Sequence, residues 1–206
     1  MSDSSYKSAI EKFEALDARY PFGKYAEQEQ LYIIYAYYKS DEIAEALAST
    51  DRFIHLHPDS EHVDYAYFMK GVLNYRQNQG VFEKYFPSDL AERDLAPARE
   101  SYITFATLVQ SYPDSKYRNA SIEYMIYLRN LMAEQEVKVA QFYYDREAYV
   151  AASNRANIVI MHYDGAPVMK EALEVAVASY KKLNLDGLAQ MYQKVIDINY
   201  SSESKD

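Results

Sequence analysis

A chain of 206 residues that is 49% apolar, with 22 Lys and Arg against 31 Asp and Glu and a net charge of -9, has room for one or two domains and a real core. The acid excess argues against a nucleic-acid partner, no stretch approaches the ~18 uncharged apolar residues of a membrane helix, and Met1-Ser2-Asp3-Ser4-Ser5 is too short and polar for a signal peptide. The absence of cysteine excludes disulfides, thiolate nucleophiles and Cys-ligated zinc.

Tyrosine is the compositional outlier, with 23 Tyr and no Trp. It combines a large apolar body with a polar tip, suited to helix junctions and to groove walls. Most of the tyrosines are expected to be repeat-packing residues.

Taken in chain order, the first helical stretch runs from Ala9 to Tyr20. Ala9, Phe13 and Pro21 fit the Ala-x3-Phe…Pro pattern of the second helix of a tetratricopeptide repeat. Nothing before it can be its first helix, and a helix in such an array cannot bury its apolar face alone. The expectation is a longer native protein whose first repeat is truncated here. The turn Tyr20-Pro21-Phe22-Gly23-Lys24-Tyr25 leads to a helix with Leu31, Ile34, Tyr35 and Tyr38 at i, i+3, i+4 and i+7. After His57-Pro58-Asp59-Ser60-Glu61-His62, the same period continues in Tyr65, Phe68, Met69 and Val72. Gly80, Pro87 and Pro97 then break the pattern across an insertion from Arg76 to Ala96. Tyr102, Phe105, Ala106 and Val109 resume it up to Tyr112-Pro113-Asp114-Ser115-Lys116-Tyr117. No Gly or Pro follows before Asp164, which predicts a long helix from about Lys116 to Tyr144. Beyond the degenerate turn Tyr163-Asp164-Gly165-Ala166-Pro167, two further stripes are Leu173, Ala176, Val177, Tyr180 and Leu188, Met191, Tyr192, Val195.

At each turn, Pro ends one helix because it lacks an N–H and forces the preceding residue out of the helical region. The Asp and Ser that follow can accept hydrogen bonds from the first free N–H groups of the next helix. The 37 residues between Pro21 and Pro58 are close to a repeat of about 34. The 55 between Pro58 and Pro113 leave roughly 20 for the insertion. The fold class is therefore all-α, a tetratricopeptide-repeat solenoid of about five helix pairs with the first truncated. Residues 1–110 form the N-terminal repeats and residues 111–206 the C-terminal ones.

Little chemistry is on offer. His55, His57 and His62 straddle the Pro58 turn and are read as turn and helix-end residues that suit the helix dipole, not as metal ligands. The pairs Glu134/Glu136 and Asp41/Glu42 are read as solvated surface. No phosphate-binding loop, dinucleotide fingerprint or nucleophile elbow occurs. An enzyme, a metal and a cofactor are all unexpected.

Three features invite binding. Tyr32, Tyr35, Tyr37 and Tyr38 place Tyr on several faces of one helix, so some pack in the core and others can line a groove. The long loop from Gly80 to Pro97 carries Phe82, Phe86, Asp89, Arg93 and Asp94, and long loops in compact solenoids are often functional. Tyr143-Tyr144-Asp145-Arg146-Glu147-Ala148-Tyr149, with Asn154-Arg155, gathers the Arg and Tyr that interface centres favour.

The blocks Ala15-Leu16-Asp17-Ala18-Arg19-Tyr20-Pro21-Phe22-Gly23, Leu31-Tyr32-Ile33-Ile34-Tyr35-Ala36-Tyr37-Tyr38-Lys39 and Asp51-Arg52-Phe53-Ile54-His55-Leu56-His57-Pro58 closely resemble the BamD (ComL) family. This is the tetratricopeptide lipoprotein family of the bacterial outer-membrane β-barrel assembly machinery. The likeness continues through Tyr143-Tyr144, Ala148-Tyr149-Val150-Ala151 and Asn154-Arg155, and covers essentially the whole chain in order.

The resemblance implies a non-enzymatic scaffold of five repeats. It implies a secretory signal and a lipidated N-terminal cysteine, absent from this chain, that anchor the protein to the periplasmic face of the outer membrane. N-terminal repeats of the family bind unfolded outer-membrane proteins through a C-terminal, Phe-ending β-signal, for which Tyr32, Tyr35, Tyr37, Tyr38 and Lys39 are the candidate residues here, with Lys24 nearby. C-terminal repeats dock on the membrane-proximal POTRA domain of the barrel component (BamA-like) and on accessory lipoproteins. The family's arginines at that contact map onto Arg146 and Arg155, with Tyr149 beside them. Where the family usually has Glu-Arg-Gly-Ala-Trp, this chain has Asp145-Arg146-Glu147-Ala148-Tyr149, so Glu147 and Tyr149 depart from it. The rivals are another periplasmic tetratricopeptide adaptor of the cell envelope, which would not select Phe-terminated peptides, and a metal-dependent enzyme built on the histidines.

Overall fold

The computed structural model describes residues 3–19, 25–80 and 95–200. They form α1 (Asp3–Arg19), α2 (Ala26–Lys39), α3 (Ile43–Leu56), α4 (Val63–Gly80), α5 (Ala96–Ser111), α6 (Arg118–Asp145), α7 (Tyr149–His162), α8 (Met169–Lys182) and α9 (Asp186–Tyr200). Among the described residues this is one leading helix followed by four helix pairs, an all-helical repeat array. The loop from Phe82 to Asp94, and the Tyr20 to Lys24 turn, lie outside the described residues. The described residues divide into two compact units, one of residues 3–19, 25–80 and 95–125 and the other of residues 126–200.

The turn inside a pair repeats one device. The N–H of Glu42 bonds the carbonyl of Tyr37 (3.0 Å), that of Ala148 bonds Tyr143 (2.9 Å) and that of Leu185 bonds Tyr180 (2.9 Å). Each closes the preceding helix with a six-to-one bond, which needs a left-handed residue just before the donor. Asp41 (φ 60°), Glu147 (φ 61°) and Asn184 (φ 57°) take that role. A Tyr four residues before a left-handed Asp, Glu or Asn thus recurs at three of these turns, although the bond itself uses only the Tyr carbonyl.

The turn between pairs has its own device. Ser60 Oγ accepts the His62 N–H (3.2 Å) and donates to Glu27 of α2 (2.6 Å). Ser115 Oγ accepts the Tyr117 N–H (3.1 Å) and donates to Asp64 of α4 (2.6 Å). Each serine caps the coming helix, as the sequence predicts, and also ties the turn to the acidic first turn of the first helix of the preceding pair. In the third turn, buried Ala166 replaces the serine. There Arg129 of α6 forks onto the carbonyls of Asp164 (2.9 Å) and Gly165 (3.0 Å).

In the first unit α1 packs on α2, α2 on α3, α3 on α4 and α4 on α5. One cluster joins Ile10, Ile33, Ala36, Tyr37, Ala46 and Leu73, and a second joins Ile34, Phe53, Val63, Ala66 and Met69. In the second unit α7 packs on α8 and α8 on α9. Its cores are alanine-rich: Ala133, Ala166 and Ala172 in one, and Ala140, Ala152, Ala156, Ala176 and Ala189 in the other. Small side chains let the helices approach closely.

Several expectations need correction. In α2 the buried residues are Ala26, Gln30, Ile33, Ile34, Ala36 and Tyr37, while Tyr35 is exposed. A helix sandwiched between α1, α3 and α4 buries a wider arc than one stripe. In α5 the core line is Ala98, Ser101, Phe105 and Leu108, with Tyr102 and Val109 at its edge. Pro97 does not break α5 but sits in its first turn, where a missing N–H costs nothing. In α9 the expected stripe is largely uncovered. Leu188, Met191, Val195 and Ile198 are exposed, and Ala189 and Tyr192 pack toward α8 instead.

Candidate functional site

The tyrosines of α2 separate by direction. Tyr37 points into the core, and its hydroxyl donates to Glu14 of α1. It is therefore removed from the candidate binding residues, because a ligand cannot reach a phenol that the α1–α2 contact encloses. Tyr32 stacks on Phe13 with ring centroids 5.8 Å apart, and its outer surface is exposed. Tyr35 meets Tyr6 edge-on at 6.4 Å and lies 6.4 Å from Tyr38. The Lys39 ammonium lies over both rings, 5.4 Å from Tyr35 and 5.5 Å from Tyr38. Lys24 lies outside the described residues.

Side chains that the sequence assigns to packing extend this surface across α4 and the start of α6. Tyr117 lies 5.7 Å from Tyr65 and stacks on Phe68 at 4.8 Å. Tyr124 meets Tyr75 at 5.3 Å. The phenols converge: burial holds the Tyr65 hydroxyl above its ordinary pKa, and the phenols of Tyr117, Tyr35 and Tyr38 add to the shift. Burial does the same to Tyr124, helped by Tyr38. These groups stay protonated and act as neutral hydrogen-bond donors and acceptors. Arg76 completes the face. Its guanidinium covers the Tyr38 ring at 4.7 Å, donates to the Tyr38 carbonyl (3.1 Å) and pairs with Asp41 (3.3 Å). A signal for Tyr65, Tyr117 and Tyr124 was present in the sequence, since each lies in the first helix of a pair or just before it. Tyr65 counts there as part of an apolar stripe and Tyr117 as part of a turn, and Tyr124 is not singled out.

Where α2 and α4 begin, this face deepens into a groove of about 1160 Å³. Leu31, Tyr32, Tyr65 and Tyr117 form its apolar wall, and Glu27, Glu61, Asp64 and Asp114 are among its polar lining. His57 bonds Gln30 (3.1 Å) and His62 lies beside Glu61 (3.6 Å). Among the described residues no three His, Asp or Glu side chains converge as metal ligands would.

In the second unit, Arg155 donates to Glu136 at 3.0 Å. The sequence places Glu136 on solvated surface. That expectation is corrected: Glu136 is 5% exposed and faces α7 from α6, while Asp145 bonds Gln141 (2.8 Å). Arg155 itself is 42% exposed, so part of its fork faces outward. Arg146 is exposed and stacks on Phe142 at 4.2 Å. Tyr149 meets Tyr144 edge-on at 5.4 Å. Val150 and Met161 add apolar exposure on α7. The two arginines thus rest on different supports within α6 and α7.

The profile of the family described as outer membrane lipoprotein (YfiO) matches residues 1–195. The chain is 37% identical over 200 residues to the outer membrane protein assembly factor BamD of Neisseria meningitidis serogroup B, spanning 97% of this chain and 75% of that protein. It is 36% identical over 199 residues to the factor of the same name from Vibrio cholerae, spanning 97% and 83% respectively. It is 32% identical over 199 residues to that of Haemophilus influenzae, spanning 97% and 76%. A helical-repeat fold, a surface of converging tyrosines in place of a catalytic centre, and likeness along nearly the whole sequence agree: the chain belongs to the BamD family of outer-membrane lipoproteins, which are outer membrane protein assembly factors and not enzymes.

Proposed function

We propose that the chain works as a two-ended adaptor in outer-membrane protein assembly. Its N-terminal repeats, residues 1–110, hold the C-terminal β-signal of unfolded outer-membrane proteins. Its C-terminal repeats, residues 111–206, dock on the POTRA-bearing barrel component and on accessory lipoproteins. A lipid anchor preceding the repeats holds it to the periplasmic face of the outer membrane. No helix among the described residues is long and apolar enough to cross a membrane.

The observation that carries the first half is the tyrosine face of α2 and α4. Tyr32, Tyr35 and Tyr38 present ring surface beside Lys39, and the phenols of Tyr65 and Tyr117 stand next to them. Rings supply stacking area for an aromatic end residue, at modest entropic cost. Hydroxyls supply hydrogen bonds to the unpaired backbone of an extended peptide. Support for the second half is the exposed part of Arg155, with Arg146 and Tyr149, in an acidic chain of net charge -9. Planar Arg forks suit carboxylates of a partner surface.

Titrating a labelled peptide that ends in Phe, and its copy without that residue, tests the reading. The expected affinity is micromolar, about -8 kcal/mol, because a flexible ligand pays an ordering cost. Equal binding of the two peptides would remove it.

A further inference from the structure

The tyrosine face has an electrical polarity along its helices. α2 and α4 run the same way on this surface. At their starts, Ser60 and His57 just before α4 reach Glu27 and Gln30 of α2. At their ends, Arg76 of α4 reaches Tyr38 and Asp41. Carboxylates collect at the starting end: Glu27, Glu61, Asp64 and Asp114 line the groove there. The one lysine among the lining residues, Lys116, lies over the Tyr117 ring at 5.0 Å. Cations outnumber carboxylates at the other end, where Lys39 covers Tyr35 and Tyr38, and Arg76, paired with Asp41 at 3.3 Å, covers Tyr38. From Glu27 to Lys39, and from Asp64 to Arg76, is twelve residues of helix, about 18 Å at ~1.5 Å per residue.

We infer that this face binds its peptide in one direction, with the free C-terminal carboxylate at Lys39 and Arg76 and a basic side chain about five residues upstream in the acidic groove, since an extended chain covers the same span at roughly 3.3 Å per residue. The inference rests on the reading that this face holds C-terminal peptides, and adds polarity and charge selection to it. Charge complementarity picks the occupant. A reversed peptide would set its carboxylate among four others, and a peptide acidic at the upstream position would be repelled there.

The tyrosines then divide the work. Tyr35 and Tyr38 flank the terminal residue under the Lys39 ammonium. Tyr32, Tyr65 and Tyr117 flank the upstream segment, where their hydroxyls can bond its backbone whatever its side chains. Selection would come from the two ends, while the middle tolerates sequence variety.

Fluorescence anisotropy with four labelled twelve-residue peptides ending in Phe tests this. One carries Lys five positions before its C-terminus, one carries Glu there, one is neutral there, and the last is the neutral peptide with a C-terminal amide. Amidation is expected to weaken binding about tenfold, the scale of a charge-assisted hydrogen bond. The Lys peptide is expected to bind about threefold or more tighter than the Glu peptide, the scale of a solvent-exposed charge pair. In the double variant Glu61→Lys, Asp114→Lys that order should reverse. Neither of those side chains anchors a turn, and circular dichroism checks the fold. Indifference to the upstream charge, or to amidation, overturns the polarity while Phe-dependent binding would leave the underlying reading intact. Equal binding of the neutral peptide and a copy that lacks its terminal Phe overturns both. A solution dimer that dissociates on Lys39→Glu would assign the face to a second copy of the chain and overturn the proposal as well.

Discussion

Gly71 and Phe105 are in contact that leaves no room for a methyl group. A Cβ built on Gly71 would lie 2.5 Å from Cε1 of the Phe105 ring. The ring is fully buried and stacked on Tyr124 at 4.9 Å, so it has nowhere to go. Ser101 Oγ seals the same crossing by donating to the Gly71 carbonyl at 2.8 Å. Ala is the better helix former by about 1 kcal/mol, yet overpacking a rigid site costs about 1–3 kcal/mol. Gly71→Ala should therefore lose about 1 kcal/mol or more in urea denaturation, despite its helix propensity. Adding Phe105→Leu should recover part of the loss in the Gly71→Ala background. A more stable single variant would show that α4 and α5 can slide apart.

Glu147 holds the left-handed conformation at φ 61° that closes α6. An L-residue with a full side chain pays about 1–2 kcal/mol there, and Gly pays almost nothing. Glu147→Gly is expected to raise stability by about 0.5–1 kcal/mol after the entropy of the more flexible unfolded chain is counted. Asn184→Gly, at φ 57°, should gain less, because Asn tolerates this region. Thermal melting of the two variants gives the order directly.

These two positions also show what the sequence could and could not carry. Helix existence was legible, because apolar period and Pro-Asp-Ser turns are local. The long helix is a case in point: expected from Lys116 to Tyr144, it runs Arg118–Asp145. The Glu147 departure from the family's Gly was visible too. The packing of Gly71 against Phe105 was not, since the two are far apart in sequence and nothing local marks the crossing. The same holds for the site. Lys39 and the α2 tyrosines were visible as a cluster, whereas Tyr65, Tyr117 and Arg76 join them only when α4 is laid beside α2. Glu136 was misjudged because a lone Glu on a helix gives no hint of the Arg155 that covers it.

Tyr37 and Tyr35 make opposite predictions from one helix. Tyr37→Phe removes the hydroxyl bonded to Glu14 and should cost about 0.5–1 kcal/mol of stability, with peptide affinity unchanged. Tyr35→Ala removes exposed ring surface beside Lys39. It should weaken peptide binding by about 1 kcal/mol, the scale of one aromatic contact, with little change in melting. Measuring melting and binding on both variants separates core from surface; a Tyr37→Phe protein with impaired binding would return Tyr37 to the site.

The outer face of α9 should tolerate charge. Leu188 and Ile198 are exposed while Ala189 is buried against α8. Ile198→Lys is expected to shift stability by no more than about 0.5 kcal/mol. Ala189→Glu should destabilise by about 2 kcal/mol or more, because it drives a carboxylate into a packed seam. A strong effect of Ile198→Lys on the isolated chain would mean that something covers this face in solution.

Arg155 has a structural task and an outward one, and a double substitution can divide them. Its inward bond neutralises Glu136, whose side chain is 5% exposed. Breaking a fully buried pair costs about 3–5 kcal/mol, since the remaining charge is stranded. Arg155 is 42% exposed, so water reaches the site and the cost of Arg155→Ala should fall to about 1–2 kcal/mol. Arg155→Glu should lose more, with two carboxylates then facing each other. Pairing Arg155→Ala with Glu136→Gln removes the carboxylate charge that Arg155 offsets and should restore part of the stability. Docking on the proposed POTRA-bearing partner should behave differently. If the outward part of the guanidinium registers that partner, the double variant should regain its melting temperature and still bind about 2 kcal/mol more weakly, a hot-spot magnitude. Recovery of both properties together would make Arg155 a brace for α6 and α7, and would move the docking contact to Arg146, Tyr149 and the exposed apolar side chains of α7.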